Sequence, residues 1–354
     1  MTFYYIIYAL VLGGVPICFI IDIAMRRMAQ KLYFASILLI LAVFAGVQAP
    51  GVSADYDVYT FWFKAIANGT ATQKAWLRDP MFALISYLVS NLGQSLSLVM
   101  FIYAALSLIA TIYFVFAVSA QRWATLLFYL IYCQYYIVNV MTEIRAAVAI
   151  PLMALSLYLA CEARMRKSLA IYIMALLFHF SVVLALPLLI LLLVGVKFRS
   201  RMWVFAVFVM GAIAFLGMGR MIKSLSDVYR ISEFIVGVSG NNSRLEVSWY
   251  IFAHILMIAI CVIMFWKQMT LHRRVAILCC CIGTLLYVIF ASYKPLAQRC
   301  ILIFDLYWCL MLSTIIDLLK GEKRWIYILL LTFMGFVLYS LSLRVIMPYS
   351  TIFF

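Results

Sequence analysis

Residues 95–118 read SLSLVMFIYAALSLIATIYFVFAV, a run in which no Asp, Glu, Lys, Arg or His occurs. A helix of this length is about 36 Å long, enough to cross a hydrocarbon core of roughly 30 Å. Inside hydrocarbon each backbone amide must be satisfied within its own segment or in a closed barrel. Long apolar runs, rather than ten-residue alternations, select the helix. Comparable runs flank this one throughout the chain, with 68% of residues hydrophobic and 11% charged. Water cannot solvate such a surface, so the expected fold class is all-α: a polytopic membrane bundle forming a single transmembrane domain over residues 1–354.

Between the apolar runs stand six basic clusters: Arg26/Arg27/Lys31, Arg122, Arg164/Arg166/Lys167, Lys197/Arg199/Arg201, Lys267/Arg273/Arg274 and Lys320/Lys323/Arg324. The positive-inside rule makes these loops cytoplasmic. The spans expected from this pattern are 3–23, 32–49, 95–118, 123–140, 144–160, 168–180, 181–195, 202–219, 248–266, 275–293, 300–319 and 325–343, twelve in all. Residues 80–92 are too short to cross and are expected to be interfacial or re-entrant, and 168–194 supplies two short spans or one long one. No Lys or Arg precedes the first run, so Met1 to about Ile23 reads as a retained span. The net charge of +15 is dispersed among loops and implies no nucleic-acid partner. The nine cysteines lie in apolar segments without metal-ligand spacing and read as small buried hydrophobes.

The outward face then carries two larger loops, about 50–79 and 220–247, each expected to contain a helix lying in the interface. In the first, Thr60, Lys64 and Asn68 form a polar stripe opposite Val58, Trp62 and Ile66. In the second, Arg220, Lys223 and Arg230 oppose Met221, Leu225, Val228 and Ile235. This topology puts eleven basic residues outside, Lys64, Lys74, Arg78, Arg145, Arg220, Lys223, Arg230, Arg244, Lys294, Arg299 and Arg344, against seven carboxylates, Asp55, Asp57, Asp79, Glu143, Asp227, Glu233 and Glu246. A positive translocated face points to anion binding, and guanidinium groups hold phosphate oxygens bidentately. Solvated loop residues are the alternative for any one of these arginines. Arg145 and Arg299 have little loop around them, and charge at a span end is costly enough to imply a role. Asp305 is expected to form an ion pair across the bundle. His179 is read either as a proton acceptor or as a packing histidine, and His254 as structural.

Several of these residues fall in short motifs: Ala54-Asp55-Tyr56-Asp57-Val58-Tyr59, Asp79-Pro80-Met81-Phe82, NVMTEIRAAVA from Asn139 to Ala149, His179-Phe180-Ser181 and Met347-Pro348-Tyr349. In order and spacing the chain resembles the Wzy/EpsG-like polymerases of bacterial O-antigen, capsule and exopolysaccharide. Ala54, Asp79, Ala146 and Val182 stand where that family has Gly, Glu, Gln and Ala, and none of these differences removes a charge.

The resemblance implies a GT-C-like architecture in the bacterial inner membrane, with the site facing the periplasm. The implied reaction is metal-independent transfer of a growing glycan from an undecaprenyl-diphosphate carrier to a hydroxyl of the next lipid-linked repeat unit. No cofactor is implied. The partners are the lipid-linked donor and acceptor, membrane lipid, and a chain-length regulator and flippase. A diphosphate leaving group needs electrostatic stabilisation more than an acid, unlike glycoside hydrolysis. Arg145 and Arg299, helped by Arg78 or Arg244, are expected to hold it, with Arg230 a further substrate contact. Asp55, Asp57, Glu143 and His179 are the outward candidates for accepting the hydroxyl proton, with His179 or Asp55 favoured. Tyr56, Tyr59 and Asp79 complete the expected substrate contacts, although aromatic residues are also common interface anchors. A flippase of the same lipid-linked glycan, an O-antigen ligase sharing the donor chemistry, and an O-acetyltransferase are the competing readings. No internal repeat supports the flippase, and His179 lies on the wrong face for a cytoplasmic acyl donor.

Overall fold

The computed structural model describes residues 2–73, 76, 79–119, 121–211, 249–291, 294–346 and 349. Two compact units form, Met1–Gly195 with Leu319–Phe354, and Val196–Leu318. The first contains α1 (Thr2–Leu12), α2 (Ile23–Gly46), α3 (Tyr56–Ala67), α4 (Pro80–Asn91), α5 (Leu96–Val118), α6 (Ala124–Ile131), α7 (Ile144–Cys161), α8 (Met165–Phe178) and α9 (Leu186–Leu193). The second contains α10 (Met202–Gly211), α11 (Trp249–Ile260), α12 (Leu271–Ile289), α13 (Lys294–Leu302) and α14 (Asp305–Leu318). Helix α15 (Glu322–Ser342) completes the first unit, and no strand occurs among the described residues.

Seven helical stretches among the described residues are long and apolar enough to cross a membrane: Thr2–Phe19, Ile23–Gly46, Leu96–Val118, Ile144–Cys161, Ile251–Gln268, Leu271–Ile289 and Glu322–Ser342. Leu296–Leu302 and Asp305–Leu318, bent by 45°, pass together as an eighth. The protein is therefore a multi-pass membrane protein. Twelve spans are expected and seven or eight stretches reach crossing length among the described residues: Ala124–Val140, Phe180–Leu193 and Met202–Gly211 are shorter apolar helices, the last described only as far as Gly211, and Pro80–Asn91 is short, as its sequence predicts. One cause lies at His179, where the backbone turns extended (φ −161°, ψ 125°) and ends α8. A 3-10 segment, Phe180–Ala185, then leads to Pro187 in the first turn of α9, where a missing N–H costs nothing.

Lipid-facing and protein-facing sides are clearest on α15. Leu329 and Phe333 are 71% and 67% exposed, while Ile328, Leu331, Gly335 and Tyr339 are buried. Gly335 is required there: a Cβ would come within 2.5 Å of the Tyr129 ring. At the end of α2, a Cβ on Gly46 would come within 2.8 Å of the Phe101 Cβ on α5, so glycine permits this close approach.

A hydroxyl-rich wedge ties α1, α2, α6 and α15 together. Tyr8 and Tyr129 share a hydrogen bond at 2.7 Å, and the Tyr129 hydroxyl reaches the Thr332 carbonyl at 2.7 Å. Tyr339 donates to the Tyr4 carbonyl at 2.7 Å and Tyr136 to the Leu41 carbonyl at 2.6 Å. The rings stack, Tyr8 on Tyr339 at 4.9 Å and Tyr132 on Tyr339 at 5.4 Å. Tyr132 and Tyr136 belong to a π-helix, Tyr132–Val140, that continues α6.

Proline removes one bond from α7 and the unit replaces it. Pro151 has no N–H to offer the Ala147 carbonyl, which accepts instead from Ser107 Oγ at 2.7 Å and Tyr135 OH at 2.9 Å. The lost intrahelical bond becomes two bonds between elements.

In the second unit, Arg273 on α12 pairs with Asp317 on α14. His254 stacks on Trp308 at 3.8 Å, and Asp305 is 1% exposed at the first residue of α14. Eight of the nine free cysteines are buried and Cys161 is half-buried.

Candidate functional site

Four segments of the first unit converge on one carboxylate. Asp79 precedes Pro80, and a residue before proline is pushed out of helical backbone; here φ is −142° and ψ 75°. Its side chain does not cap α4 but turns inward, with 6% of it exposed. Oδ2 accepts from Arg145 Nη1, and Oδ1 lies 3.2 Å from His179 Nδ1. The start of α4 adds the favourable end of a helix dipole to this buried carboxylate.

Arg145 is the second residue of α7, where a cation opposes the helix dipole. Its placement therefore serves its partners rather than the helix. The guanidinium carbon lies 5.4 Å from the centre of the Tyr59 ring, within cation–π range. Arg145 Nε is buried without a hydrogen-bond partner. Burial pushes the Tyr59 hydroxyl up to about 12, against the pull of Arg145, so this phenol stays neutral at physiological pH.

His179 reaches the carboxylate because α8 ends there. Its own N–H still bonds to the Ala175 carbonyl at 3.0 Å, while Tyr172 holds the following 3-10 segment back through Val182 O at 2.7 Å. An ionised carboxylate can only accept hydrogen bonds, so in the neutral imidazole this contact puts the proton on Nδ1 and the lone pair on Nε2. The side chain is 29% exposed, more than Arg145 at 17%. Behind these groups runs a wall of rings, Tyr59–Phe82 at 5.5 Å, Phe82–Tyr103 at 6.0 Å and Tyr103–Phe178 at 5.7 Å.

Of the residues singled out in the sequence, Tyr59, Asp79, Arg145 and His179 meet directly. Asp55 and Glu143 are half-buried at the N-terminal ends of α3 and α7 and act electrostatically on Tyr59. Asp57 is exposed, and Tyr56 is buried. Arg299 is exposed on α13 of the second unit. Arg78, Arg230 and Arg244, with the expected helix at 220–236, lie outside the described residues. The helix expected at 57–68 is present, but its packed side is Tyr56, Tyr59 and Ile66, and Val58 is 46% exposed. Tyr103 was not legible as a site residue, since nothing distinguishes an aromatic residue in a charge-free run, whereas Phe82 belongs to the Asp79–Phe82 motif. Among the described residues no three His, Cys, Asp or Glu side chains are grouped to hold a metal ion.

The profile of the EpsG family matches residues 31–351, which include every residue of this cluster. No curated protein and no solved structure matches the chain.

Proposed function

Because the chain belongs to the EpsG family, a family of Wzy-like polymerases, we propose that it joins lipid-linked oligosaccharide repeat units into polysaccharide. The donor is a glycan on undecaprenyl diphosphate, and the reaction takes place on the periplasmic side of the bacterial inner membrane. The observation that supports this reading is the Asp79 carboxylate held between Arg145 and His179 at a partly open edge of the first unit.

The chemistry follows from the three groups. The acceptor hydroxyl oxygen attacks the anomeric carbon of the donor, the bond from that carbon to the phosphate oxygen breaks, and the lipid diphosphate leaves with the electron pair. The hydroxyl proton passes to His179 Nε2, the nitrogen left unprotonated by the Asp79 contact. The imidazolium that forms is stabilised by the same carboxylate, which also fixes the ring. Asp55 is the second candidate for the base, but its contact is with the field of Tyr59 rather than with His179.

Arg145 has more donors than Asp79 uses, including the buried Nε, and offers them to the departing diphosphate. For Arg299, Arg78, Arg230 and Arg244 a diphosphate-binding role is proposed on their sequence alone. Tyr56, Asp57 and Glu143 are proposed to line the sugar path around α3 and α7.

The test is complementation of a deletion strain, with surface glycan run on a gel. Wild-type protein restores a ladder, whereas Arg145→Ala and His179→Ala leave single capped repeats despite normal protein levels. A complete absence of capped glycan in the deletion strain points to a ligase or flippase and overturns the polymerase reading.

A further inference from the structure

Buried tyrosine hydroxyls in the first unit are paired almost throughout. Tyr129, Tyr135, Tyr136, Tyr172 and Tyr339 each bond to a carbonyl between 2.6 and 2.9 Å. Tyr103 differs: it is 0% exposed, and its hydroxyl is the buried tyrosine oxygen without a hydrogen-bond partner among the described residues. Such a group is costly to bury unless a partner arrives, and unsatisfied polar atoms of this kind occur at ligand sites.

The surroundings say which partner. The Tyr103 ring is held between Phe82, three residues after Asp79, and Phe178, one residue before His179. The charges that act on the hydroxyl are those of Arg145 and Asp79. Both Asp79 oxygens already have partners in Arg145 and His179. A neutral O–H beside an arginine with a spare buried N–H is a donor set for an anionic oxygen.

We propose that Tyr103 is a substrate-contacting residue whose hydroxyl donates to an oxygen of the lipid diphosphate held by Arg145, an assignment that rests on the polymerase reading above. The anion approaches from the edge where Arg145 and His179 keep 17% and 29% of their side chains exposed. Tyr103 then contacts the phosphate while the sugar stays nearer His179.

Tyr103→Phe tests this, because it removes one oxygen and keeps the ring between Phe82 and Phe178. Purified full-length protein in detergent is titrated with undecaprenyl diphosphate and, separately, with uncharged undecaprenol, alongside thermal unfolding. Y103F is expected to weaken undecaprenyl diphosphate binding roughly tenfold or more, a hydrogen bond to a charged group. Undecaprenol binding should be unchanged and the melting temperature no lower than wild type. Equal losses for both lipids mark damage to the fold and overturn the assignment. Unchanged diphosphate binding in Y103F, with loss in Arg145→Ala, also overturns it while leaving the polymerase reading intact. Unchanged binding in both variants, with a normal glycan ladder in cells carrying Arg145→Ala, removes the diphosphate site altogether.

Discussion

The tyrosine wedge and the Asp79 cluster use similar side chains in the same apolar unit to opposite ends. In the wedge, Tyr8, Tyr129, Tyr136 and Tyr339 close their hydroxyls on one another or on carbonyls of neighbouring helices. Around Asp79, the Tyr103 hydroxyl and Arg145 Nε are buried without partners, and His179 stays partly exposed. A membrane interior tolerates polar groups when they are mutually satisfied. Groups left open there are costly, and a bound ligand is the natural way to offset that cost. The wedge thus reads as architecture and the cluster as a site.

Substitutions should separate the two regions, and the largest effect is expected at Arg145. Arg145→Ala should lower polymer formation by roughly 10²–10³-fold, about 2.7–4 kcal/mol of barrier. Arg145→Lys should restore it incompletely, because an ammonium lacks the bidentate fork. Wild-type ladder length in Arg145→Ala cells at equal protein levels would remove Arg145 from the site.

Asp79→Asn keeps the shape but lets the amide donate to His179, so the proton on Nδ1 is no longer enforced. Polymer formation should drop by about 10²-fold, with binding of undecaprenyl diphosphate largely retained. Parallel loss of binding and turnover would show that Asp79 serves to hold Arg145 rather than to orient His179.

In the wedge, Gly335→Ala should cost about 1–3 kcal/mol of stability by driving a methyl group into the Tyr129 ring, and turnover per folded molecule should not change. Tyr339→Phe is the mildest, about 1 kcal/mol, through loss of the bond to the Tyr4 carbonyl. Thermal unfolding in detergent with polymerisation normalised to folded protein checks both. A specific loss of turnover in Tyr339→Phe would erase the distinction between the regions.

The membrane class and several crossing helices were legible in charge-free runs such as 95–118, because hydrocarbon imposes one rule on every residue of a span. Helix α3 was legible as amphipathic, but its packed side was not. The polar stripe of Thr60, Lys64 and Asn68 locates the wet edge, and it cannot say whether Val58 or Tyr59 meets protein rather than lipid. Asp79 stands out as an outward-loop carboxylate, and Arg145 and His179 as charged or titratable residues near span ends. The resemblance puts all three in one site, but their direct contact was not legible, since Asp79 lies 66 residues from Arg145 and 100 from His179. Periodicity within a helix carries no information over such separations. The π-helix at Tyr132–Val140 left no local signal either.

Pro151 carries a consequence for inheritance. The Ala147 carbonyl has two lone pairs, and Ser107 and Tyr135 occupy them because proline cannot. A descendant that replaced Pro151 with a residue bearing an N–H would bring a third donor to a filled acceptor. One of the two hydroxyls would then become dispensable. Positions 107, 135 and 151, though spread over three segments, should accordingly drift as a set rather than one at a time.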